Sequence, residues 1–302
     1  MDRITDGVLA FPLTPFHADG GLDLAAYERH LEHLLEHQPG AVFAACGTGE
    51  YAALSPEEHA SVVARTVDVV AGRTAVFAGV GVNAAVAADQ AGVVARAGAD
   101  GVLLLPPYLA SGPQAGLEQY VRTVAKASDL PMVLYQRGTA VYAPETLERL
   151  AAVPAVVGLK DGLGDLERVR RLRLAVGDEV VFFNGLPTAE LQAEAFRAAG
   201  APLYSSAVFA MAPGIAARFY RAYTTGESDL IRRLLREFYA PLAALRDRVP
   251  GYAVSLIKAG AGLGARGTLG SVRPPLADPA PEHLETLREL LYRGTEIVEA
   301  AR

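Results

Sequence analysis

The sequence predicts an α/β fold, a (β/α)8 TIM barrel with a C-terminal helical appendage. Apolar strand-like runs recur eight times, beginning near Gly7, Ala41, Ala75, Gly101, Pro131, Ala155, Val180 and Leu203. The segments between them have helical period, and about 225 residues hold all eight units, the length a barrel of this kind needs. From about Met211 onward the strand pattern stops and helical patterns fill the remainder. A doubly wound parallel sheet is the competing arrangement of the same units.

Taken in order, the elements explain themselves locally. In the first helical segment Leu24, Tyr27, Leu31, Leu34 and Leu35 share one face. Ser55-Pro56-Glu57-Glu58 places a serine at an N-cap and a proline at the first helical position. Gly79-Val80-Gly81-Val82-Asn83-Ala84 imitates a dinucleotide fingerprint, but no acidic residue ends the following strand, 101–105. In the fourth helical segment Leu117, Tyr120, Val121 and Val124 share a face. The sixth run, Val156-Val157-Gly158-Leu159-Lys160-Asp161-Gly162, is apolar until it reaches a lysine at its expected last position. Past the eighth strand, helices are expected around 212–224, 228–247, 252–264 and 281–300. Between the last two, Val272-Arg273-Pro274-Pro275-Leu276-Ala277-Asp278-Pro279 reads as a rigid extended linker. The expected division is a catalytic barrel over 1–225 and a C-terminal helical region over 226–302.

Composition narrows the function. The 302 residues, 51% of them hydrophobic, suffice for a full core. A net charge of −6 without a basic block argues against a nucleic-acid partner. One cysteine forbids an internal disulfide and suits a reducing compartment. Met1-Asp2-Arg3-Ile4-Thr5-Asp6 has no apolar signal core, and no apolar run is long enough to span a bilayer. A soluble cytoplasmic protein without a membrane partner is expected. The six histidines are scattered, and His30, His33, His37 and His59 fall on polar helix faces in no metal-ligand pattern. All six read as structural, and no metal is expected.

Active-site residues of a barrel lie just past the C-terminal ends of its strands. There the sequence offers Cys46-Gly47-Thr48-Gly49-Glu50, Pro106-Pro107-Tyr108, Tyr135-Gln136-Arg137, Lys160, Asn184-Gly185-Leu186-Pro187-Thr188 and Tyr204-Ser205-Ser206. A lysine at the rim of a core loses its proton more readily, and a neutral amine attacks carbonyls to form a Schiff base. Phenols and hydroxyls beside it supply a proton relay, and Gly-rich turns supply N–H donors for an anionic substrate. Each piece also fits a structural role. Lys160 fits a strand cap, Gly47-Thr48-Gly49 a tight turn, Tyr135 a core aromatic, Arg137 a surface charge, and Ser205 and Ser206 ordinary strand residues. Cys46 fits a small buried residue, since no base accompanies it in its motif.

Together these motifs resemble the dihydrodipicolinate synthase and N-acetylneuraminate lyase superfamily. The resemblance rests on the Gly-Thr-Gly-Glu turn, the tyrosine ending strand five and the lysine ending strand six, and it covers essentially the whole chain. Lys160-Asp161-Gly162, Asn184-Gly185-Leu186-Pro187-Thr188-Ala189-Glu190, Tyr204-Ser205-Ser206-Ala207-Val208-Phe209 and the run Gly251 to Gly260 are similar to the 5-dehydro-4-deoxyglucarate dehydratase family. That family converts its substrate to 2,5-dioxopentanoate, water and carbon dioxide.

The resemblance implies catalytic roles for Lys160 as the Schiff-base lysine, Tyr135 as its proton shuttle and Thr48 as a relay. It implies that the N–H groups of Gly47 and Thr48 hold the α-keto carboxylate. Arg137, Gly185, Ser205 and Ser206 are the remaining substrate-binding candidates. Tyr108 matches a tyrosine that completes a neighbouring subunit's relay in many members, which implies a homo-oligomer, most simply a tetramer. The implied substrate is a small dicarboxylic keto sugar acid, with no cofactor beyond the covalent Schiff base through Lys160. The chain departs from the superfamily at Cys46 and Gly47, where many members have Gly and Thr or Ser. It also has Ala140 near the position of the synthases' arginine, which counts against the synthase reaction. A 2-keto-3-deoxy sugar acid aldolase and a non-catalytic sugar-acid-binding paralogue are the alternatives on the same fold.

Overall fold

A computed structural model of the chain describes residues 7–263 and 267–301. The N-terminal stretch read for a signal core, and residue 264 at the end of one expected helix, lie outside the described residues. The strands are β1 (Leu9–Ala10), β2 (Ala41–Ala44), β3 (Ala75–Val80), β4 (Gly101–Leu104), β5 (Met132–Gln136), β6 (Val156–Asp161), β7 (Val181–Asn184) and β8 (Leu203–Ser206). They close into a barrel in chain order, all parallel. The two-residue β1 completes the ring, with Leu9 paired to Ala41 on one side and to Ser205 on the other. This is the (β/α)8 barrel rather than the doubly wound sheet.

The helices between strands start where their caps dictate. Asp23 accepts from the Ala26 N–H to begin α1 (Leu24–Leu35). Ser55 and Glu58 form a reciprocal capping box at the start of α2 (Pro56–Val70). Asn83 caps α3 (Ala84–Arg96), which gives the fingerprint-like stretch a structural purpose. Next come α4 (Gln114–Ala125), α5 (Pro144–Ala151), α6 (Leu166–Val176) and α7 (Ala193–Ala198). The expected apolar faces of α1 and α4 are buried, Leu24 excepted, which is only half-buried. Two histidines differ from their expected polar faces. His30 is buried and its Nε2 accepts from the Leu13 N–H at 3.2 Å. Burial pushes its pKa down to about 3, so the ring is neutral and free to accept. His59 is buried too, and donates from Nε2 to the Gly79 carbonyl at 2.8 Å. Each ring satisfies a backbone group at a strand exit, which outweighs its polarity.

Beyond β8 the chain is helical: α8 (Ala207–Met211), α9 (Pro213–Thr225), α10 (Ser228–Leu234), a π turn over Leu235–Tyr239, α11 (Ala240–Arg246), α12 (Tyr252–Gly262) and α13 (Pro281–Glu299). The segment between α12 and α13 does more than space two helices. Leu269 accepts from the Phe16 N–H at 3.0 Å. The Arg273 guanidinium lies 3.9 Å from the Phe16 ring centroid and donates to the carbonyls of Gly20 and Ala53 and to Glu58. An arginine fork with five donors can hold several loops at once, and this one ties the C-terminal segment to the loops leaving β1 and β2.

Two apolar layers make the core. The outer one lies between strands and helices, and the inner one fills the barrel. Inside, Phe43 stacks between Phe11 and Phe77 at centroid distances of 4.8 and 4.9 Å, and Phe183 tilts against it at 5.9 Å. These rings plug the barrel below its mouth.

Candidate active site

One irregularity aims the site. The pairing of β5 with β6 shifts register between Met132 and Val133, so that Met132 faces Val156 and Val133 faces Gly158. Val157 is the extra residue of a bulge, a device that re-aims side chains. Val156 packs on the outer layer and strict alternation would send Lys160 the same way. The bulge inverts the parity, and Lys160 enters the barrel directly beside Tyr135. The strand runs one residue past its expected end, to Asp161. That extra residue helps to hold the pairing. Asp161 accepts from Gln136 at 2.8 Å and from the N–H groups of Leu163 and Gly164, while Gln136 accepts from the Tyr142 N–H.

The Lys160 side chain is 6% exposed. Its Nζ lies 3.8 Å from the Phe11 ring centroid and 4.5 Å from that of Tyr135. Burial, with a smaller contribution from the Arg137 charge, pushes its pKa down to about 7. Near neutral pH a large share of this amine is therefore uncharged. Gly185 explains how a lysine fits here. A Cβ at that position would lie 2.5 Å from Cε and Cγ of Lys160. A Cβ at Gly162 would likewise meet the Tyr135 hydroxyl at 3.0 Å. The glycines that follow β6 and β7 are thus moulds for the two side chains.

Tyr135 is buried, and burial raises the pKa of its phenol. Its hydroxyl donates to the Gly185 carbonyl at 3.4 Å and accepts from Arg137 at 3.1 Å. Arg137 is exposed and leans back over the mouth toward Tyr135. The structure therefore brings Lys160, Tyr135, Arg137 and Gly185 together.

The turn after β2 closes through Glu50 N–H to Gly47 O and Tyr51 N–H to Cys46 O, each at 3.1 Å. Gly47 is exposed and Thr48 half-buried, whereas Cys46 is buried with its thiol pKa pushed up to about 12 by burial. Ser205 has the inward parity of Leu203 and donates to the Asn184 carbonyl at 3.3 Å. Ser206 does not face the mouth. Alternation along β8 turns it outward, where its hydroxyl bonds Glu190 and caps α8 through the Phe209 N–H. Tyr108 is half-exposed beside the fully exposed Leu109, and its phenol is near enough to Tyr135 and Arg137 to interact with both. Sequence reasoning named Glu50 in the turn but missed its pairing, since its buried carboxylate meets Lys258. A charged pair 208 residues apart leaves no local pattern to find.

Two other concave or ligand-like features among the described residues lie away from Lys160. A groove of about 800 Å³ is lined by α1 residues such as Arg29 and His33 with Met211 and Thr268. His33, Glu36 and His37 bring potential ligand atoms within 4.8 Å of one another. They stand at the C-terminal end of α1, opposite the mouth because helices run antiparallel to strands. Arg218 and Arg221 line the same cleft as the two histidines, which disfavours a cation there.

The close fit at Gly185 yields a direct test. Gly185→Ala should leave a folded protein whose Lys160 no longer forms a borohydride-reducible adduct with a keto acid. Near-normal labelling of Lys160 by mass mapping would show that the mould is not needed.

The dihydrodipicolinate synthetase family profile matches residues 5–293. A protein of Streptomyces avermitilis named "Probable 5-dehydro-4-deoxyglucarate dehydratase 2" is 50% identical over 98% of this chain and 89% of its own length. One of Streptomyces coelicolor, "Probable 5-dehydro-4-deoxyglucarate dehydratase 1", is 48% identical over 98% of this chain and 95% of its own. Among solved structures, the 4-hydroxy-tetrahydrodipicolinate synthase of Methylacidiphilum fumariolicum SolV superposes with a TM-score of 0.87 at 29% identity, covering 98% of each chain. With a closed parallel barrel throughout and a family match along nearly its full length, the chain belongs to the dihydrodipicolinate synthetase family.

Proposed function

We propose that this chain is a 5-dehydro-4-deoxyglucarate dehydratase acting through a Schiff base on Lys160. It converts 5-dehydro-4-deoxy-D-glucarate to 2,5-dioxopentanoate, water and carbon dioxide. The observation that carries the reading is the buried Lys160 amine, kept substantially neutral at a barrel mouth. The names of the relatives supply the substrate.

The neutral amine attacks the C5 ketone, and loss of the carbinolamine hydroxyl gives an iminium. The iminium acidifies C4–H, and Tyr135, or a water it orients, assists removal of that proton. The enamine expels the C3 hydroxyl as water. The unsaturated iminium is then conjugated through to C2, so the electrons of the C1–C2 bond flow into it as carbon dioxide leaves. Reprotonation and hydrolysis release the semialdehyde and regenerate Lys160. The iminium is the electron sink, so the steps call for no metal, flavin or nicotinamide.

In this reading the N–H groups of Gly47 and Thr48 receive the C6 carboxylate, and the Thr48 hydroxyl relays protons to Tyr135. Arg137, with Ser205, receives the C1 end, where a planar fork suits a carboxylate. Its position beside the Tyr135 hydroxyl supports this. Gly185 leaves room for the lysine, and Ser206 holds β8 to α8 rather than touching substrate. A reducing cytoplasm suits the single cysteine.

Tyr108 and Leu109 expose an apolar loop tip. We take it as a contact with another copy, in a homotetramer where Tyr108 reaches a neighbour's relay. Light scattering should give a tetramer, and an active monomer at assay concentration would sink that assembly.

The activity has its own test. The purified protein should release carbon dioxide and semialdehyde from 5-dehydro-4-deoxyglucarate, and borohydride with substrate should fix an adduct on Lys160. Pyruvate without carbon dioxide would move the chain to the aldolase reading. Arg137→Ala should weaken the dicarboxylate by about 1.5–3 kcal/mol, the loss of one charged hydrogen bond.

The pH dependence follows from the depressed lysine. Only the neutral amine attacks, so kcat/KM should rise with pH through an apparent pKa of about 7. Arg137→Ala removes a nearby positive charge and should move this acid limb to higher pH. An acid limb near the ordinary lysine range in the unaltered protein would contradict the burial argument.

A further inference from the structure

Glu50 directly follows the Gly47-Thr48-Gly49 turn and has a left-handed backbone, φ 56°. A non-glycine residue stays in that region where its surroundings over-determine it. Here the surroundings are unusual. The Glu50 carboxylate is buried, accepting from Lys258 Nζ at 2.7 Å and from the Arg273 N–H at 2.8 Å. Lys258 is buried as well, donates to the Ser271 carbonyl at 2.9 Å, and lies 4.0 Å from the Phe16 ring centroid. On its other side the turn is pressed against the exit of β1. Thr14 donates to the Gly49 carbonyl at 2.7 Å, and a Cβ at Gly49 would meet the Pro12 carbonyl at 2.9 Å.

The turn is therefore clasped between the first loop of the barrel and the C-terminal segment. Gly47 itself is exposed and has no side chain with which to hold its own direction. A buried ion pair supplies the missing constraint, because any other arrangement of the turn strands a charge away from water. We propose that Glu50 and Lys258 are positioning residues that fix the Gly47–Thr48 turn so that its N–H groups receive the α-keto carboxylate. The proposal rests on the carboxylate reading of that turn given above. The pair touches no substrate and acts only through the turn.

The test compares two small ketones, pyruvate, which carries the α-keto carboxylate, and hydroxyacetone, which lacks it. Each is trapped on Lys160 with borohydride and quantified by mass, below the thermal midpoint of each protein. The double variant Glu50→Gln with Lys258→Met removes both charges and leaves no unpaired ion. It should need about tenfold to a hundredfold more pyruvate for half-maximal trapping, as weakened hydrogen bonds to a charged group imply. Its response to hydroxyacetone should be unchanged. Glu50→Gln alone keeps the side chain's shape and should show a smaller selective loss, so poor folding of the double variant does not shield the idea. Equal shifts for both ketones, or none, would reduce the pair to a fold-holding role and overturn the proposal. If the unaltered protein shows no preference for pyruvate, the carboxylate reading of the turn fails first.

Discussion

Everything at the mouth depends on holding one amine out of water. The stacked phenylalanines inside the barrel are what make that possible. Phe11, lying on Phe43, presents a ring face to Lys160 Nζ, so the amine rests on a dry aromatic floor rather than on solvent. A ring face attracts an ammonium, but the loss of water around the amine outweighs that attraction and acts against the charged form. The lysine's folded pKa, about 7, lies below its ordinary value of 10.5. Between those pH values the unfolded chain binds a proton that the native chain does not. This group's burden on stability is therefore full below about pH 7 and fades as pH rises toward 10.5, on the order of 5 kcal/mol in all. Part of the barrel's stability is thus given up to keep this amine uncharged near neutral pH.

Such a burden is tolerable only if the amine sits in one place. The bulge at Val157 turns Lys160 inward, and the Asp161–Gln136 bond locks the corrected register beside Tyr135. The glycines after β6 and β7 then shape the space around both side chains. Aim, register and mould come from residues that flank Lys160 and Tyr135 on β5 and β6, together with Gly185 after β7.

Much of this was legible in the chain. Eight apolar runs and their intervening periods place every strand within two residues, because buried parallel strands must be apolar along their whole length. The cap at Ser55 is local, and local chemistry is what a sequence displays. The candidate site was legible in the placing of Lys160 and Tyr135, since the C-terminal ends of strands define the mouth. Its orientation was not. A bulge in a parallel pair depends on the neighbouring strand, so nothing in Val156-Val157-Gly158 announces the parity change. Ser205 and Ser206 are adjacent and chemically alike, yet alternation sends one to the mouth and the other to Glu190. His30 and His59 looked polar because their partners, the Leu13 N–H and the Gly79 carbonyl, belong to other elements.

The C-terminal segment shows why such long-range partners arise here. Strand β1 has only two paired residues, so the loop leaving it gains little order from the sheet. Phe16 on that loop takes its backbone bond from Leu269 and its ring contacts from Lys258 and Arg273. The same arginine holds the start of α2 through Glu58, while Lys258 reaches the turn after β2 through Glu50. A barrel that closes through its weakest strand needs support from outside the ring, and the last quarter of the chain supplies it. The support falls on the first two strand exits, one of which carries the Gly47–Thr48 turn. Closing the fold and shaping the mouth are therefore one physical problem in this chain, met by one buried pair and one arginine.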